Sequence, residues 1–418
     1  DYLAILGSRE RIMAIISDEL REVRAQFAVP RRTEIVDWGG DLEDEDLIER
    51  EDMVVTITSG GYIKRTPLAE FRAQRRGGKG LASMQTKEDD VVTTLFVANT
   101  HTALLFFTTD GMVYQLKCWR LPLAGRTAKG KAIVNILPIQ PGVSIAALMP
   151  VDAPEVEWDN LQIVFATSDG DVRRNALSDF TNIMRNGKIA MKLPEGVSLV
   201  NARIADEGDD VLLVTSLGRA IRFQTTDVRV FKGRDSTGVR GVRLATGDRV
   251  VSMAVVRHFD ASAEERAAYL KQRRLIAGAV EDEAADDEDE PVEAGQLSPE
   301  RYAEMSAAED LILTITAGGL GKLTSSHDYP VRGRGGMGVR ASDAAMRGGP
   351  LVAAFPVEMS DQVMLATSSG QSIRIPVDGI RFMARSGGGV RVLNLNGSGE
   401  EVASVARIAE AAEDDAEE

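Results

Sequence analysis

Six short loops rich in glycine and basic side chains recur along the 418-residue chain. The first and richest is Gln74, Arg75, Arg76, Gly77, Gly78, Lys79, Gly80, and the others surround Gly130, Gly187, Gly238, Gly338 and Gly389. Arginine and lysine neutralise phosphate groups, and glycine lets backbone N–H groups approach an anion closely. This combination predicts a surface that binds a polyanion.

The first loop is not a nucleotide-binding P-loop. The pattern G-x-x-x-x-G-K-[ST] requires a hydroxyl after the lysine, and Lys79 is followed by Gly80. The three histidines lie far apart, and Cys118 has no histidine that can be assigned to it, although Lys117 and Arg120 beside it would favour a lowered pKa. We therefore expect no catalytic activity in this chain, and no cofactor or metal ion.

The charge of the chain is unevenly distributed. The formal net charge is -15, but residues 1–58, 259–310 and 400–418 carry -8, -11 and -7, which leaves +11 on the rest. A basic body with acidic appendages is typical of a polyanion-binding protein that carries its own competitors for the basic surface. The negative total therefore does not exclude a nucleic-acid partner.

An internal repeat of about 50 residues positions the basic loops. Each copy begins with an apolar run, a glycine turn and a second short run, and the six turn glycines are Gly61, Gly111, Gly170, Gly218, Gly319 and Gly370. β-Branched residues on both sides of a glycine turn predict a β-hairpin. The basic loop follows each turn glycine by 17–20 residues, and a third apolar strand starts about 30 residues after it. Six such units predict an all-β ring or spiral of blades.

The remaining segments are predicted from periodicity and charge. Residues 1–29 read as the end of a longer coiled-coil helix, since Met13, Ile16, Leu20, Val23 and Phe27 are spaced as on a packing seam. Residues 30–50 form an acidic linker, 51–258 blades 1–4 and 309–409 blades 5–6. The insertion at 259–308 is predicted to hold a helix at 263–275 and a disordered acidic loop, and 410–418 a disordered acidic tail.

The chain resembles the carboxy-terminal domain of the A subunits of bacterial DNA gyrases. Residues 74–80, QRRGGKG, match the heptapeptide known in that family as the GyrA box, and they follow the first hairpin as they do there. The opening segment, SRERIMAIISDELREVRAQF followed by PRRTEI, is similar to the end of the family's coiled coil. The likeness covers residues 1–258 and 309–409.

This resemblance implies a six-bladed β-pinwheel, a propeller variant with swapped strands, whose basic perimeter wraps double-stranded DNA. It implies a place in the A2B2 gyrase, whose B subunit, together with the rest of the A subunit, would be its partner, in the cytoplasm on nucleoid DNA and with no membrane partner. The family's cleavage tyrosine lies upstream, and ATP and Mg²⁺ are used elsewhere in that enzyme. The chain itself is therefore expected not to cut DNA but to help the enzyme introduce negative supercoils.

The candidate DNA-binding residues are the basic loop residues and the basic residues that follow the hairpin turns. Besides residues 74–80, they are Lys64, Arg65, Arg126, Lys129, Lys131, Arg173, Arg174, Arg185, Lys188, Arg222, Lys232, Arg234, Arg240, Lys322, Arg332, Arg334, Arg340, Arg374, Arg385 and Arg391.

Two alternatives remain open at this point. A protein-interaction propeller could dock a basic partner on the acidic insertion, and the related domain of the topoisomerase IV A subunit would bind DNA without strong wrapping. Residues 151–200 are also weakly basic, with 5 basic and 8 acidic groups. We therefore expect an uneven contact with DNA at the third blade.

Overall fold

The computed structural model describes residues 1–29, 44–58, 60–70, 92–125, 127–234, 236–278, 297–343, 347–368, 372–395 and 399–408. The first basic loop, most of the acidic linker, the acidic part of the insertion and the tail lie outside these ranges. The chain divides into two compact units, residues 1–48 and 49–418. We describe each unit by itself.

The first unit contains two helices, α1 (Tyr2–Leu6) and α2 (Arg9–Phe27). The hydroxyl of Ser8 begins α2 by accepting a hydrogen bond from the backbone N–H of Arg11. The five residues of the predicted seam are all exposed on α2, from 42% for Ile16 to 71% for Phe27. The helix therefore presents an apolar stripe, as the spacing predicted, and the partner helix stays a prediction.

The second unit contains six β-hairpins. Their strands are β1 (Asp52–Thr58) and β2 (Tyr62–Pro67), β4 (Ala103–Thr108) and β5 (Met112–Lys117), β8 (Gln162–Thr167) and β9 (Asp171–Ala176), β12 (Asp209–Thr215) and β13 (Arg219–Gln224), β17 (Leu311–Thr316) and β18 (Leu320–Ser325), β21 (Gln362–Thr367) and β22 (Ser372–Pro376). The predicted hairpins are confirmed.

A threonine ends the first strand of every hairpin and helps to shape the turn. In four hairpins its hydroxyl accepts the backbone N–H of the first residue of the second strand, at 3.0–3.2 Å, as from Arg219 to Thr215. The residue before the second strand is a glycine with positive φ in five of these turns, for example 84° at Gly218. Glycine adopts this conformation without the steric cost of a side chain.

A third strand pairs antiparallel with the first strand of each hairpin. These strands are β3 (Val92–Asn99), β7 (Ile145–Val151), β11 (Leu199–Ile204), β16 (Val250–Arg257), β20 (Leu351–Val357) and β24 (Val402–Ile408). Third strands of successive blades pack beside one another from blade 2 to blade 6, and β24 of the last blade packs beside β3 of the first. Blades 1 and 2 share a hydrophobic core. The blades therefore form a closed ring.

The hydrophobic core lies between successive blades. In β4, Leu104 and Phe106 pack towards blade 1, whereas Leu105 and Phe107 pack towards blade 3. Side chains alternate between the two faces of a strand, and both faces of such a blade are covered by the neighbouring blades. The first strands are consequently almost entirely buried, unlike strands with one face in water.

Within the described residues, each of blades 1–5 receives its outermost strand from the next repeat along the chain, numbered here as units 2 to 6. The donated strands are β6 (Lys131–Ala132), β10 (Lys188–Ile189), β14 (Val230–Phe231), β15 (Val239–Arg240), β19 (Val339–Arg340) and β23 (Val390–Arg391). The resulting orders are β3-β1-β2-β6, β7-β4-β5-β10, β11-β8-β9-β14 with β15 also on β9, β16-β12-β13-β19 and β20-β17-β18-β23. Blade 6 has three strands within the described residues, β24-β21-β22.

The insertion holds two helices instead of the one predicted, α3 (Ala263–Ile276) and α4 (Pro299–Ala307). Arg301 near the start of α4 bonds Glu265 near the start of α3, and Arg273 near the end of α3 bonds Glu309 just after α4. The two helices therefore run parallel. Tyr269 and Met305 form the buried centre of the small core between them.

The insertion also buries His327 of blade 5, whose ring lies against Tyr269 and donates a hydrogen bond of 2.8 Å from Nε2 to the carbonyl of Met305. Burial lowers the pKa of His327 from its ordinary value of 6.5, and this outweighs the hydrogen bond to Met305, which raises the pKa. As the pH falls below 6.5, the His327 imidazole therefore stays neutral in the folded protein, whereas the same side chain in the unfolded chain already takes up a proton.

The free energy of unfolding should fall as the pH decreases below about 6.5, because the unfolded chain binds the proton of His327 first. Replacing His327→Gln should reduce this acid dependence, since glutamine does not titrate and can still donate to Met305. Urea unfolding at pH 7.5, 6.0 and 5.0 measures the effect, with His101→Gln at a half-exposed turn as the control. An acid dependence identical to that of the parent chain would contradict the prediction.

Candidate nucleic-acid interface

The basic loops around Gly130, Gly187, Gly238, Gly338 and Gly389 lie at the outer edges of the blades, because each of the five leads directly into a donated outermost strand. The loop glycines are required there by close packing against the preceding blade. A Cβ atom at Gly338 would lie 2.1 Å from the carbonyl oxygen of Ala220, and one at Gly238 would lie 2.4 Å from that of Val172. These glycines were interpreted as allowing an anion to approach, but they instead let two main chains meet.

Each antiparallel outermost strand carries one cation, at one of two adjacent positions. The residue opposite the second position after the turn glycine is Lys131 in β6 and Lys188 in β10. In β15, β19 and β23 the cation is one residue further, at Arg240, Arg340 and Arg391, opposite the first position after the turn glycine. The ring thus repeats one cation per outer edge from blade 1 to blade 5.

Six of the predicted DNA-binding side chains are exposed: Lys131, Arg185, Lys232, Arg332, Arg374 and Arg391. Arg240 and Arg334 are also exposed but bond to their surroundings. Arg240 pairs with Asp171 at 3.1 Å, and Arg334 donates to the carbonyl of Asp227 at 2.9 Å. These eight residues are the exposed members of the predicted set within the described residues.

Five predicted residues are half-buried and make contacts within the ring. Lys188 donates to the carbonyls of Asp179 and Thr181 at 3.0 Å, and burial lowers its pKa. Arg65 and Arg234 also donate to carbonyls, those of Leu121 and Ile189. The other two are Lys129, which lies 3.8 Å from the ring centroid of Tyr62, and Arg340, which pairs with Asp343 at 3.2 Å. All five can contribute to the electrostatic potential of the edge.

Six predicted residues are buried, so their side chains do not face solvent in this structure: Lys64, Arg173, Arg174, Arg222, Lys322 and Arg385. They were selected because a charged side chain is ordinarily exposed. Four of them, Lys64, Arg173, Arg222 and Lys322, bind main-chain carbonyls of the next unit. We therefore assign these six to the structure of the ring and omit them from the interface.

The most completely paired of these buried cations is Arg222, which is 3% exposed. Its Nε donates to Asp210 at 2.8 Å, and its two terminal nitrogens donate to the carbonyls of Ser326 and Arg257 at 2.7 and 2.8 Å. Asp210 is fully buried and also bonds the Nδ1 of His258. The pair connects blade 4 to the 3-10 turn Ser326–Asp328 of unit 5. Arg385 acts similarly in unit 6, where its Nη1 donates to the carbonyl of Arg340 at 2.6 Å.

Replacing Asp210→Asn should destabilise the ring by about 3–5 kcal/mol, because Arg222 would remain buried without its counter-charge. The double replacement Asp210→Leu with Arg222→Met removes both charges and should cost clearly less than the single change. Chemical denaturation of the parent chain and the two variants gives these free energies. A double variant as unstable as Asp210→Asn would show that the uncompensated charge is not the cause.

The residues of the first basic loop, Gln74, Arg75, Arg76, Gly77, Gly78, Lys79 and Gly80, lie outside the described residues, and so does Arg126. Several exposed cations were missed in the sequence: Lys192, Arg229, Arg243, Arg249, Arg347 and Arg381. Arg229 stacks over Phe231 of the outermost strand β14, with 4.4 Å from its Cζ to the ring centroid. Its position immediately before a donated strand was the signal that could have identified it.

The described residues contain neither a metal-binding cluster nor a thiol of lowered pKa. Among them, no group of three or more histidine, cysteine, aspartate and glutamate side chains could hold a metal ion. Cys118 is fully buried, and burial raises the pKa of its thiol to about 11, which corrects the lowering expected from Lys117 and Arg120. No helix in the described part of the chain is long and apolar enough to cross a membrane.

A family model described as DNA gyrase C-terminal domain, beta-propeller, matches six stretches of the chain: residues 52–99, 102–152, 162–206, 209–257, 310–358 and 361–409. Each stretch extends from the first strand of one blade to its third strand. The chain belongs to this family. The gyrase C-terminal fold thus accounts for the whole ring and leaves out the insertion between blades 4 and 5.

Relatives with the same organisation are gyrase A subunits. The DNA gyrase A subunit of Granulibacter bethesdensis is 48% identical over 408 residues, which cover 95% of this chain and 43% of that protein. The DNA gyrase A subunit of Rickettsia bellii is 44% identical over 421 residues, covering 100% of this chain and 46% of that protein. The chain therefore spans less than half the length of these two relatives.

Two solved structures have the same fold. The C-terminal domain of DNA topoisomerase IV matches with a TM-score of 0.62 at 22% identity, and covers 86% of this chain and 94% of its own. The DNA gyrase A C-terminal domain matches with a TM-score of 0.58 at 20% identity, and covers 86% of this chain and 100% of its own. The six-bladed, propeller-like fold predicted from the repeat is confirmed.

Proposed function

We propose that this gyrase A C-terminal domain binds duplex DNA along the outer edge of its ring and wraps the DNA around that edge. The observation that carries the proposal is that the outermost strands of blades 1–5 each carry a cation, at one of two adjacent positions opposite the residues that follow the turn glycine. Cations at equal steps around a closed ring follow a curved path. A polyanion that contacts them in succession must bend.

DNA suits such a surface for electrostatic reasons. The duplex carries one negative charge per roughly 1.7 Å of its axis, and basic side chains that neutralise phosphates release condensed counterions. Contacts of this kind fix the position of the duplex without reading its sequence. The basic outer edge therefore supports binding to DNA of any sequence, with a steep dependence on salt.

Wrapping requires several contacts that act together. Bending a 20–30 bp site by 40–90° costs on the order of 1–6 kcal/mol, and a longer wrap costs several times more. One basic loop cannot offset this cost, whereas cations on successive blades add contacts as the duplex advances. The first loop, with Arg75, Arg76 and Lys79, would hold the first or the last wrapped stretch and so complete the turn.

In the longer gyrase A relatives this role would serve the rest of the enzyme. A wrapped duplex would present a crossing of fixed hand to the cleavage site elsewhere in the enzyme, where the B subunit would supply ATP hydrolysis. The domain itself would bind DNA in the cytoplasm, on the nucleoid, without a cofactor. We propose that it directs strand passage towards negative supercoiling and does not cut DNA.

Alanine replacements at Lys131, Arg340 and Arg391 should each weaken duplex binding and lower the slope of log K against log salt by about 0.9 for each lost phosphate contact. Gel-shift titrations from 50 to 200 mM salt measure the slope. Arg203→Ala is the matched control, because this exposed arginine lies on the innermost strand β11. Slopes unchanged in all three edge variants would contradict the proposed interface.

The combined replacement Arg75→Ala, Arg76→Ala and Lys79→Ala should abolish chiral wrapping but weaken duplex affinity only moderately, because the cations on the other blades remain. Ligation of nicked circles in the presence of the protein reports wrapping as a shift in linking number. A variant that produces the same shift as the parent chain would refute the role of the first loop.

The same two measurements distinguish the other candidate functions. A protein-interaction propeller would show little duplex affinity and no steep salt dependence. A domain that functions like that of the topoisomerase IV A subunit would bind duplex DNA with a salt-dependent affinity but would produce little linking-number shift. Strong binding with a linking-number shift supports the wrapping function.

A further inference from the structure

Three buried cations occupy one repeated position in alternate blades. Lys64 in blade 1, Arg173 in blade 3 and Lys322 in blade 5 each follow their turn glycine by three residues, and none is more than 1% exposed. In blades 2, 4 and 6 this position holds Tyr114, Ile221 and Ile373. The repeat therefore contains a second, alternating pattern that the outer cations do not have.

Each buried cation binds the main chain of the next unit's basic loop. The Nζ of Lys322 donates to the carbonyls of Ala384 at 3.1 Å and Gly387 at 2.9 Å, and also to that of Arg385. Arg173 donates in the same way to the carbonyls of Arg234 at 2.7 Å and Ser236 at 2.8 Å, and to that of Gly233. The Nζ of Lys64 donates to the carbonyl of Gly125 at 3.2 Å.

The side chains in the other blades hold their loops differently. A Cβ at Gly187 would lie 2.6 Å from the Tyr114 ring, so this loop packs directly on the aromatic side chain. In blade 4, a Cβ at the loop glycine Gly336 would lie 3.7 Å from the Cδ1 of Ile221. The loops of units 3 and 5 thus rest on uncharged side chains, whereas those of units 2, 4 and 6 rest on a cation.

Peptide geometry determines which backbone groups of a loop face the buried cation and which face away from it. In a trans peptide the C=O and the following N–H point in opposite directions. Carbonyls that converge on Lys322 therefore turn the N–H of Gly388 away from it, and those that converge on Arg173 turn the N–H groups of Arg234 and Thr237 away from Arg173. The peptide dipoles oriented in this way place their positive ends on the side away from the cation.

We propose that Lys64, Arg173 and Lys322 are positioning residues for DNA phosphate. Each holds the basic loop of the next unit with its carbonyls inwards, so that backbone N–H groups of that loop donate to a phosphate of the wrapped duplex. The inference rests on the proposed function. It adds that units 2, 4 and 6 supply main-chain contacts, so that the wrap is held most firmly at every second blade.

The test compares Lys322→Met with its matched control Ile221→Met, which changes the same repeat position in blade 4. Lys322→Met should weaken duplex binding by about three- to tenfold, the equivalent of one or two neutral hydrogen bonds. Its salt slope should stay unchanged, since a buried cation neutralises no phosphate. Lys322→Arg should restore binding, because blade 3 carries an arginine at this position, and Ile221→Met should bind like the parent chain.

Two results with the folded variant would overturn the inference. Unchanged affinity would show that Lys322 does not position a contact, and a slope lowered by about 0.9 would show that it contacts phosphate itself. Failure of Ile221→Met to bind normally would also overturn it, because any change at this position would then have the same effect. Thermal unfolding of each variant verifies that it is folded.

A measurement on the parent chain covers the case in which Lys322→Met does not fold. Amide hydrogen exchange at Thr237 and Gly388 should slow when duplex DNA is added, and equal exchange with and without DNA would overturn the inference. A parent chain that shows no salt-dependent duplex binding at all would instead refute the proposed function. The two failures are therefore distinguishable.

Discussion

Backbone hydrogen bonding between the second strand of one blade and the loop of the next unit is the interaction on which the ring depends. A second strand would otherwise expose a row of unpaired N–H and C=O groups at the outer edge of its blade. The following unit covers that edge in blades 1–5 with a strand of two residues. The same strands carry the outer cations, so one set of hydrogen bonds both joins the blades and positions the basic side chains.

Basic residues in this domain have two different electrostatic roles. Exposed cations such as Lys131 and Arg391 contribute to a long-range potential that salt screens. Buried cations such as Arg222 and Lys322 are surrounded by carbonyl and carboxylate oxygens, and removing those oxygens would leave a charge in a low-dielectric interior. The second group gives the loops a defined conformation, which the first group needs in order to lie at regular positions.

The fold was predictable because its signals are local and repeated six times. Apolar strands, glycine turns and third strands all recur at fixed distances, so each copy supports the others. The insertion was predicted less completely. Its helix α4 begins with Ser298 as the cap and Pro299 as the first helical residue, a sequence signal that was available, but the acidic composition around it led to a prediction of disorder.

The candidate interface was only partly predictable, for a physical reason. Charge in a β-hairpin usually indicates the face that meets water, but in a ring of blades both faces of the hairpin are covered. Lys64 and Lys322 could not be recognised as buried, because their oxygen partners come from loops about 60 residues further along the chain. The cations of the donated strands could be found by their distance from the turn glycines, since these strands follow the basic loops directly.

Exchange of the outermost strands also constrains how such a domain can change during evolution. Loss or duplication of one repeat would require a neighbouring blade to take its outermost strand from a different unit, in addition to changing the number of blades. A chain of independent repeats can lengthen or shorten one copy at a time. Here the insertion is accommodated between a third strand and the next hairpin, where α3 and α4 lie, because the connection from β16 to β17 contains no donated strand.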